Sequence, residues 1–189
     1  RGLGYPVEAR PGVAGGYRLG AGRSLPPLLL DDDEAVAVAI GLRTAAGGSV
    51  AGIEETSVRA LAKLRHVLPS RLWHRVSAFG SHAMPMPAPG PQVDLNVLTL
   101  IAGACRDQER LRFDYRSHQG QESRRSAEPH RLVHSGRRWY LLGWDIDKED
   151  WRTYRVDRLR LGTPNGPRFV PRDPPDEDLA AYTSRAISS

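Results

Sequence analysis

The sequence predicts an α+β fold, in which a helical linker region precedes a small SH3-like or Sm-like β-barrel. Apolar residues recur with the helical period as far as about residue 109, and from Leu111 onwards the period changes to two. Short alternating segments then follow at close spacing over roughly 50 residues, which favours a small barrel. The segment from Trp139 to Trp144 is apolar on both alternating faces, as expected for a strand that is covered on both sides.

Residues 1–23 predict a β-hairpin. Short apolar runs at Tyr5–Val7 and Tyr17–Leu19 flank a segment that is rich in glycine and proline. A phosphate-cradling loop is excluded as an alternative, because no Gly-Lys-Ser/Thr motif follows and no helix begins directly after Gly16.

Residues 24–91 predict a helical region that ends in an extended connector. Asp31 and Glu34 have the spacing of a capping box, and the acidic cluster around them suits the positive end of a helix dipole. Proline at every second position within 84–91 is incompatible with a central strand and favours a connector or edge segment.

Two apolar stripes define the helices of this region, and a shorter helical stretch follows Pro69. We expect the second stripe to pack against the barrel or a second chain, because each large apolar side chain gains about 1.5–3 kcal/mol on burial. Of these two arrangements we favour a homodimer that is formed through this face of the helix. The first helix carries Val36, Ala39, Ile40 and Arg43 and ends at Gly47-Gly48, the second spans about Glu54 to Leu68 with Val58, Leu61, Leu64 and Leu68, and the third contains Leu72 and Val76.

A further helix, from about Asp94 to Glu109, and five strands complete the prediction. Cys105 lies on the apolar stripe of that helix, so it is a small core residue rather than a reactive thiol. In the first strand Leu111, Phe113 and Tyr115 face one way. The helix stripe comprises Val97, Ile101, Ala104, Cys105 and Gln108, and the later strands cover about 122–134, 137–145, 151–156 and 158–162.

The composition is that of a basic, water-soluble protein. The net charge is +5 and 27 of the 189 residues are Lys or Arg, all of them Arg except Lys63 and Lys148. Arginine forks suit phosphate, although a GC-rich genome also encodes arginine by default. A single cysteine fits the reducing cytoplasm, and no apolar run reaches the roughly 18–20 residues of a membrane span.

Metal binding and catalysis are not predicted, and no cofactor is expected. His130 and His134 lie in strand-like sequence, where four residues span about 13 Å, too far for two imidazoles to bind one ion. No Gly-x-Ser-x-Gly elbow is present, and the acidic residues at 145–150 are typical of a solvated hairpin turn. The chain is therefore predicted not to be an enzyme.

The triplet Trp139-Tyr140-Leu141 and its flanks resemble the WYL domain of bacterial transcriptional regulators, in which a winged helix-turn-helix precedes the WYL domain (the DeoR/YafY type). The flanking matches are Tyr115-x-Ser117, Arg125-x3-Pro129-His130 and Arg152-x2-Arg155-x-Asp157-Arg158. The resemblance implies an SH3-like or Sm-like barrel that senses anionic ligands, placed between an N-terminal DNA-binding domain and a C-terminal extension that takes part in dimerisation.

This resemblance divides the chain into four parts. Residues 1–23 would be the remnant of the wing, 24–91 the helical linker region, 92–172 the WYL domain, and 173–189 a C-terminal linker. Because the sequence begins at Arg1 without a methionine, we expect a fragment of a longer regulator. DNA would then be a partner through the missing N-terminal domain.

Between residues 106 and 172 we count 16 Lys or Arg against 10 Asp or Glu, and the cations alternate with aromatic residues. Guanidinium forks and aromatic faces suit phosphates and bases. Strand alternation favours Arg152 with Arg158 over Arg155, which is expected to pair with Asp157 instead. From the family positions, the predicted ligand or nucleic-acid site comprises Ser117, Arg125, His130, Tyr140, Arg152, Arg155 and Arg158.

Three functions remain compatible with the sequence. The first is the ligand-sensing core of a transcriptional regulator that binds a nucleotide or single-stranded nucleic acid. The second is a stand-alone module that binds single-stranded nucleic acid. The third is an interaction domain without a ligand, whose basic residues form an ordinary solvated face.

Overall fold

The structure is a computed structural model that describes residues 7–10, 16–19, 28–45, 47–83, 90–162, 165–176 and 178–188. In the N-terminal part, strands β1 (Val7–Arg10) and β2 (Gly16–Leu19) pair in antiparallel register, with Val7 opposite Leu19. The predicted hairpin is thus confirmed. Its turn lies outside the described residues, and its assignment as a wing stays a prediction.

The helical region consists of α1 (Asp32–Ala45), α2 (Glu54–Val67) and α3 (Ser70–His82). The predicted capping box is present at the start of α1. One carboxylate oxygen of Asp31 accepts hydrogen bonds from the backbone N–H groups of Asp33 and Glu34, both at 2.9 Å, and Glu34 accepts from the Asp31 N–H at 2.9 Å. These contacts satisfy donors that the first turn of a helix otherwise leaves free.

The three helices enclose a small apolar core. The second stripe packs into this core, rather than against the barrel or a second chain as expected, and it is correct except at one position. Val58 is 59% exposed, whereas the neighbouring Ser57 is 2% exposed. At 100° per residue, Val58 lies about 90° away from the mean direction of the other stripe residues, and Ser57 lies close to that direction. The core comprises Val36, Ala39, Leu72 and Val76, with Ile40, Leu61, Leu64, Leu68 and Trp73 packed at its edge.

A short parallel pair connects the helical region to the next helix. Strand β3 (Val50–Ala51) pairs with β4 (Val93–Asp94), and α4 (Leu95–Asp107) begins at once, with the Asp94 side chain accepting from the Asn96 N–H at 2.7 Å. Gln108, predicted on the apolar stripe, instead ends the helix in the left-handed region at φ 56° and is exposed. The proline-rich connector at 84–89 lies outside the described residues.

The remaining strands form one antiparallel sheet in the order β8-β7-β6-β5-β9. The α+β class is therefore confirmed, but the sheet is open rather than a closed barrel, because no ladder joins β8 to β9 within the described residues. A 3-10 turn of three residues, Val156–Arg158, nevertheless connects these two edge strands, so the sheet must be strongly curled. The strands are β5 (Leu111–Arg116), β6 (Glu122–Ser135), β7 (Arg138–Asp145), β8 (Asp150–Arg155) and β9 (Leu159–Leu161).

Helix α4 packs against the inner face of this sheet, where Ile101 and Leu141 are fully buried. The apolar core reaches only part of that face. At the C-terminal end of β5 and the N-terminal end of β8, beside the β7–β8 turn, the residues that point to this face are polar rather than aliphatic. The inner face therefore has an apolar part that packs in the core and a polar end that borders an open cleft.

The segment that follows β9 is fastened to the outer face of the sheet. Glu128 is 4% exposed and forms salt bridges with Arg110 at 2.9 Å and Arg172 at 2.8 Å. The guanidinium of Arg172 also lies over Trp144, 4.5 Å from the ring centroid. Helix α5 (Leu179–Ser188) then packs against β6 and β8, within the range predicted as a linker.

Candidate anion-binding cleft

The floor of a cleft on the inner face of the sheet is aromatic. Tyr154 of β8 lies between Phe113 and Tyr115 of β5, with edge-to-face centroid distances of 5.1 and 5.2 Å. The strand period of two places Phe113 and Tyr115 on the same face, and the curl of the sheet brings the edge strand β8 over them.

Two arginines and a lysine surround this floor. Arg125 stands opposite Phe113 in the β5–β6 ladder, and its Nε donates to Ser123 Oγ at 3.2 Å. Arg152 comes from β8, two residues before Tyr154 and therefore on the same face. Lys148 belongs to the turn between β7 and β8.

Asp145, the last residue of β7, organises this end of the sheet. It is 1% exposed, and one of its oxygens accepts from the backbone N–H groups of Asp147 and Lys148 at 2.9 and 3.0 Å. Its other oxygen accepts from the Tyr154 hydroxyl at 2.5 Å and lies 3.7 Å from Arg125. Asp145 therefore shapes the turn that presents Lys148 and also holds the aromatic floor.

Burial is the main reason why the pKa of Tyr154 is raised far above its usual range, and the hydrogen bond to Asp145 acts in the same direction. The phenol consequently stays protonated at physiological pH and continues to donate to the carboxylate. The Asp145–Tyr154 pair is thus a fixed structural element of the cleft rather than a group that exchanges protons there.

The cleft is open and has a volume of about 460 Å³, which is within the range of small-molecule sites. Its cations offer donors to an oxyanion, and Ser117 adds a hydroxyl whose oxygen accepts from the Gln121 N–H at 3.1 Å. Arg125 also borders a second groove of about 400 Å³, together with Arg112 and Arg124. The lining residues of the cleft are Tyr115, Ser117, Ser123, Arg125, Asp145, Lys148, Arg152, Thr153 and Tyr154.

Of the seven residues predicted from the sequence, the structure brings Ser117, Arg125 and Arg152 together in this cleft. His130 lies elsewhere, because it comes five residues after Arg125 on β6 and strand alternation places it on the opposite face, that of Glu128 and Trp144. It packs edge-on against Trp151 at 5.5 Å, beside Arg172, and burial lowers the pKa of its imidazole.

Tyr140 and Arg155 also lie outside the cleft. Tyr140 is 4% exposed, and its neighbour Leu141 faces the core, so the tyrosine points to the opposite side of β7. Arg155 forms the expected pair with Asp157, with two hydrogen bonds of 3.0 and 2.7 Å.

Arg158 borders a separate depression near Arg116 and Arg160. The predicted pairing of Arg152 with Arg158 is therefore not observed. The physical reason is the 3-10 turn Val156–Arg158, which carries the chain from one edge of the sheet to the other.

Several cleft residues were missed by the sequence prediction, although two signals could have found them. The first signal is strand alternation, because Ser123 lies two residues before Arg125 and Tyr154 lies two residues after Arg152, on the same face of their strands. Asp145 followed three residues later by Lys148 has the spacing of a carboxylate that closes a turn, but this segment was interpreted as a solvated hairpin. Tyr115 was recognised in the motif but not as part of the site.

The described part of the chain contains no group of three or more His, Cys, Asp or Glu residues that could hold a metal ion. None of the helices in the described residues is long and apolar enough to cross a membrane.

Residues 96–163 match the model of the WYL domain. Along its whole length the chain is 30% identical to Protein PafB of Mycobacterium bovis and 28% identical to that of Mycobacterium leprae, and it spans 58% and 57% of these relatives. A segment covering 40% of the chain is 31% identical to the DNA-binding transcriptional repressor CapW of Escherichia coli, of which it spans 26%.

Among solved structures, the proteasome accessory factor B/C (PafBC) of Arthrobacter aurescens is similar with a TM-score of 0.34 and 22% identity, over 72% of this chain and 21% of that one. The WYL match agrees with the Trp-Tyr-Leu triplet in β7 and with the five-stranded sheet around it. The family match is therefore to the WYL domain and covers residues 96–163 of the chain.

Proposed function

We propose that this chain is the ligand-sensing part of a transcriptional regulator and that its cleft binds an anionic effector, a nucleotide or single-stranded nucleic acid. The observation that carries the proposal is the convergence of Arg125, Lys148 and Arg152 on one cleft. Guanidinium and ammonium groups are the side chains that proteins use to bind phosphate. The similarity to CapW, a DNA-binding transcriptional repressor, supports the regulatory context.

The aromatic floor favours a nucleotide over a simple inorganic anion. Tyr115 is half-buried, so part of its ring borders the open cleft. Stacking a base on an aromatic ring contributes about 1–3 kcal/mol and is tolerant of sequence. The second groove beside Arg125 offers a path for a neighbouring nucleotide.

Binding rather than catalysis is the role that we propose for the cleft. Its lining contains no His or Cys within the described residues, and its buried carboxylate, Asp145, is already engaged by Tyr154 and two backbone N–H groups. The whole regulator would work in the cytoplasm and contact DNA through a helix-turn-helix domain that precedes Arg1.

The proposal is tested by titrating the 189-residue chain with fluorescently labelled oligothymidylate and with duplex DNA. We expect saturable binding of the single strand at low salt and only weak, sequence-independent binding of the duplex, with both falling steeply as salt rises. Salt-resistant binding of one particular duplex sequence would contradict the proposal, as would the failure of every anionic ligand to bind.

A homodimer formed through the helical region is part of the same proposal. The second stripe, which was expected to form the contact, packs against α1 and α3, so the contact is proposed for the exposed surface beside it. Leu28, Leu29 and Val67 are between 69% and 80% exposed, beside a largely apolar groove of about 740 Å³ formed by α1, α2 and the segment before α1. Exposed apolar surface of this kind marks protein–protein contacts.

We predict that Val67→Lys lowers the dimer fraction measured by multi-angle light scattering, because a charge would be buried in the contact. Val170→Lys is the matched control, since Val170 is 85% exposed and lies outside the helical region. A wild-type chain that is monomeric at every concentration would exclude the homodimer.

A further inference from the structure

Lys148 differs from the two arginines of the cleft in having no acidic partner. Arg125 lies 3.7 Å from Asp145, and Arg152 forms a salt bridge of 3.1 Å with Asp150. Lys148 forms no ion pair in the part of the chain that the structure describes, although the turn that carries it is held by Asp145. Lys148 is exposed and lines the cleft, so it adds a positive charge that has no counterion within the described residues.

The charges that line the cleft are unequal. Three cations face one carboxylate, and Asp145 already accepts three hydrogen bonds within the protein. Asp150, which pairs with Arg152, is 56% exposed, so this pairing is weakened by solvent. An anion in the cleft can thus engage two guanidinium groups and one ammonium group.

A terminal phosphate matches this set better than an internal phosphodiester. A phosphomonoester carries about −1.5 to −2 charges near neutral pH and has three free acceptor oxygens. A phosphodiester carries a single charge and has two free oxygens. An ammonium group without a counterion contributes most when the ligand brings this second charge.

We propose that Lys148 makes the cleft selective for the terminal phosphate of a nucleotide or a nucleic-acid strand over an internal phosphodiester. This inference rests on the proposed function of the cleft, because it assumes that an anionic ligand binds there. Lys148 acts as a specificity-determining residue. The Asp145 carboxylate accepts from the backbone N–H groups of Asp147 and Lys148 and so fixes the turn that carries Lys148.

The experiment is a competition titration with short oligothymidylates that carry a 5′-phosphate, a 3′-phosphate, a methyl-esterified 5′-phosphate or no terminal phosphate. We expect the wild-type chain to bind at least one of the phosphorylated strands about tenfold more tightly than the unphosphorylated strand, and the methyl ester to lose most of this preference. The two phosphorylated strands show which end the cleft accepts.

Lys148→Met should abolish the preference, because the affinity for the phosphorylated strand falls further than the affinity for the unphosphorylated strand. Lys63→Met is the matched control, since Lys63 is the other lysine of the chain and lies on α2. It should leave the preference unchanged.

The outcomes separate the inference from the function on which it rests. If the wild type binds all four strands equally well, or Lys148→Met keeps the preference, the inference is overturned and the proposed function stands. If no strand binds even at low salt, both are overturned. A preference that disappears in Lys148→Met but not in Lys63→Met supports the inference.

Discussion

Replacing Arg125 with alanine should weaken the binding of a short single strand by about 10- to 150-fold. This range corresponds to about 1.5–3 kcal/mol, the loss expected when one charge-assisted hydrogen bond is removed. The Arg125 side chain is ordered before a ligand binds, because it is only 26% exposed and its Nε donates a hydrogen bond to Ser123. A guanidinium that is already ordered loses little conformational freedom when a ligand binds.

Arg152→Ala should have a smaller effect, towards the lower end of the same range. Its side chain is 52% exposed and shares its charge with Asp150, so the ligand must compete with an existing pair. The measurement for both variants is a fluorescence-anisotropy titration at constant low salt, because any change of ionic strength alters phosphate contacts by itself.

Arg158→Ala is the decisive control for this prediction. It removes the same charge, and the family positions place Arg158 in the site, but the structure places it in a separate depression. We expect its affinity to remain within about threefold of the wild type, since only long-range electrostatics change. An equal loss in Arg125→Ala and Arg158→Ala would show that the chain binds anions through its overall charge rather than through the cleft.

The architecture could be predicted from the sequence because its local signals agree with one another. The capping residue Asp31, the change of period at Leu111 and the two-sided apolar strand around Leu141 each specify their own element. The predicted strands of the sheet differ from the observed ones by at most one residue at each end. Whether the sheet closes into a barrel could not be predicted in the same way, because closure depends on pairing between residues that no local pattern connects.

The site was less predictable, because side-chain direction depends on local irregularities of the backbone. A 3-10 turn takes Arg158 to the other edge of the sheet, which no local pattern indicates. His130, in contrast, could have been excluded from its odd spacing to Arg125. Lys148 enters the cleft only because a buried carboxylate forms a turn around it, and burial of Asp145 cannot be inferred from an acidic segment that is typical of solvent-exposed hairpins.

Replacing Asp145 with alanine should cause the largest loss of stability among substitutions in the cleft, about 2–4 kcal/mol in the free energy of unfolding. The buried Tyr154 hydroxyl would lose its acceptor, and an unsatisfied buried donor costs about 1–3 kcal/mol. The backbone N–H groups of Asp147 and Lys148 would lose theirs as well, although water can replace part of that contact. Urea denaturation measures the sum of these effects.

Two further variants divide this loss into its parts. Tyr154→Phe removes only the hydroxyl and should cost about 1 kcal/mol while the turn stays intact. Asp147→Ala makes the same substitution at an exposed position of the turn and should change stability by less than about 0.5 kcal/mol. Hydrogen exchange adds a local measurement, because the amides of residues 147 and 148 should lose protection in Asp145→Ala but not in Tyr154→Phe. If Asp145→Ala were no more destabilising than Asp147→Ala, the carboxylate would not organise the turn, and the placement of Lys148 on the cleft would need another cause.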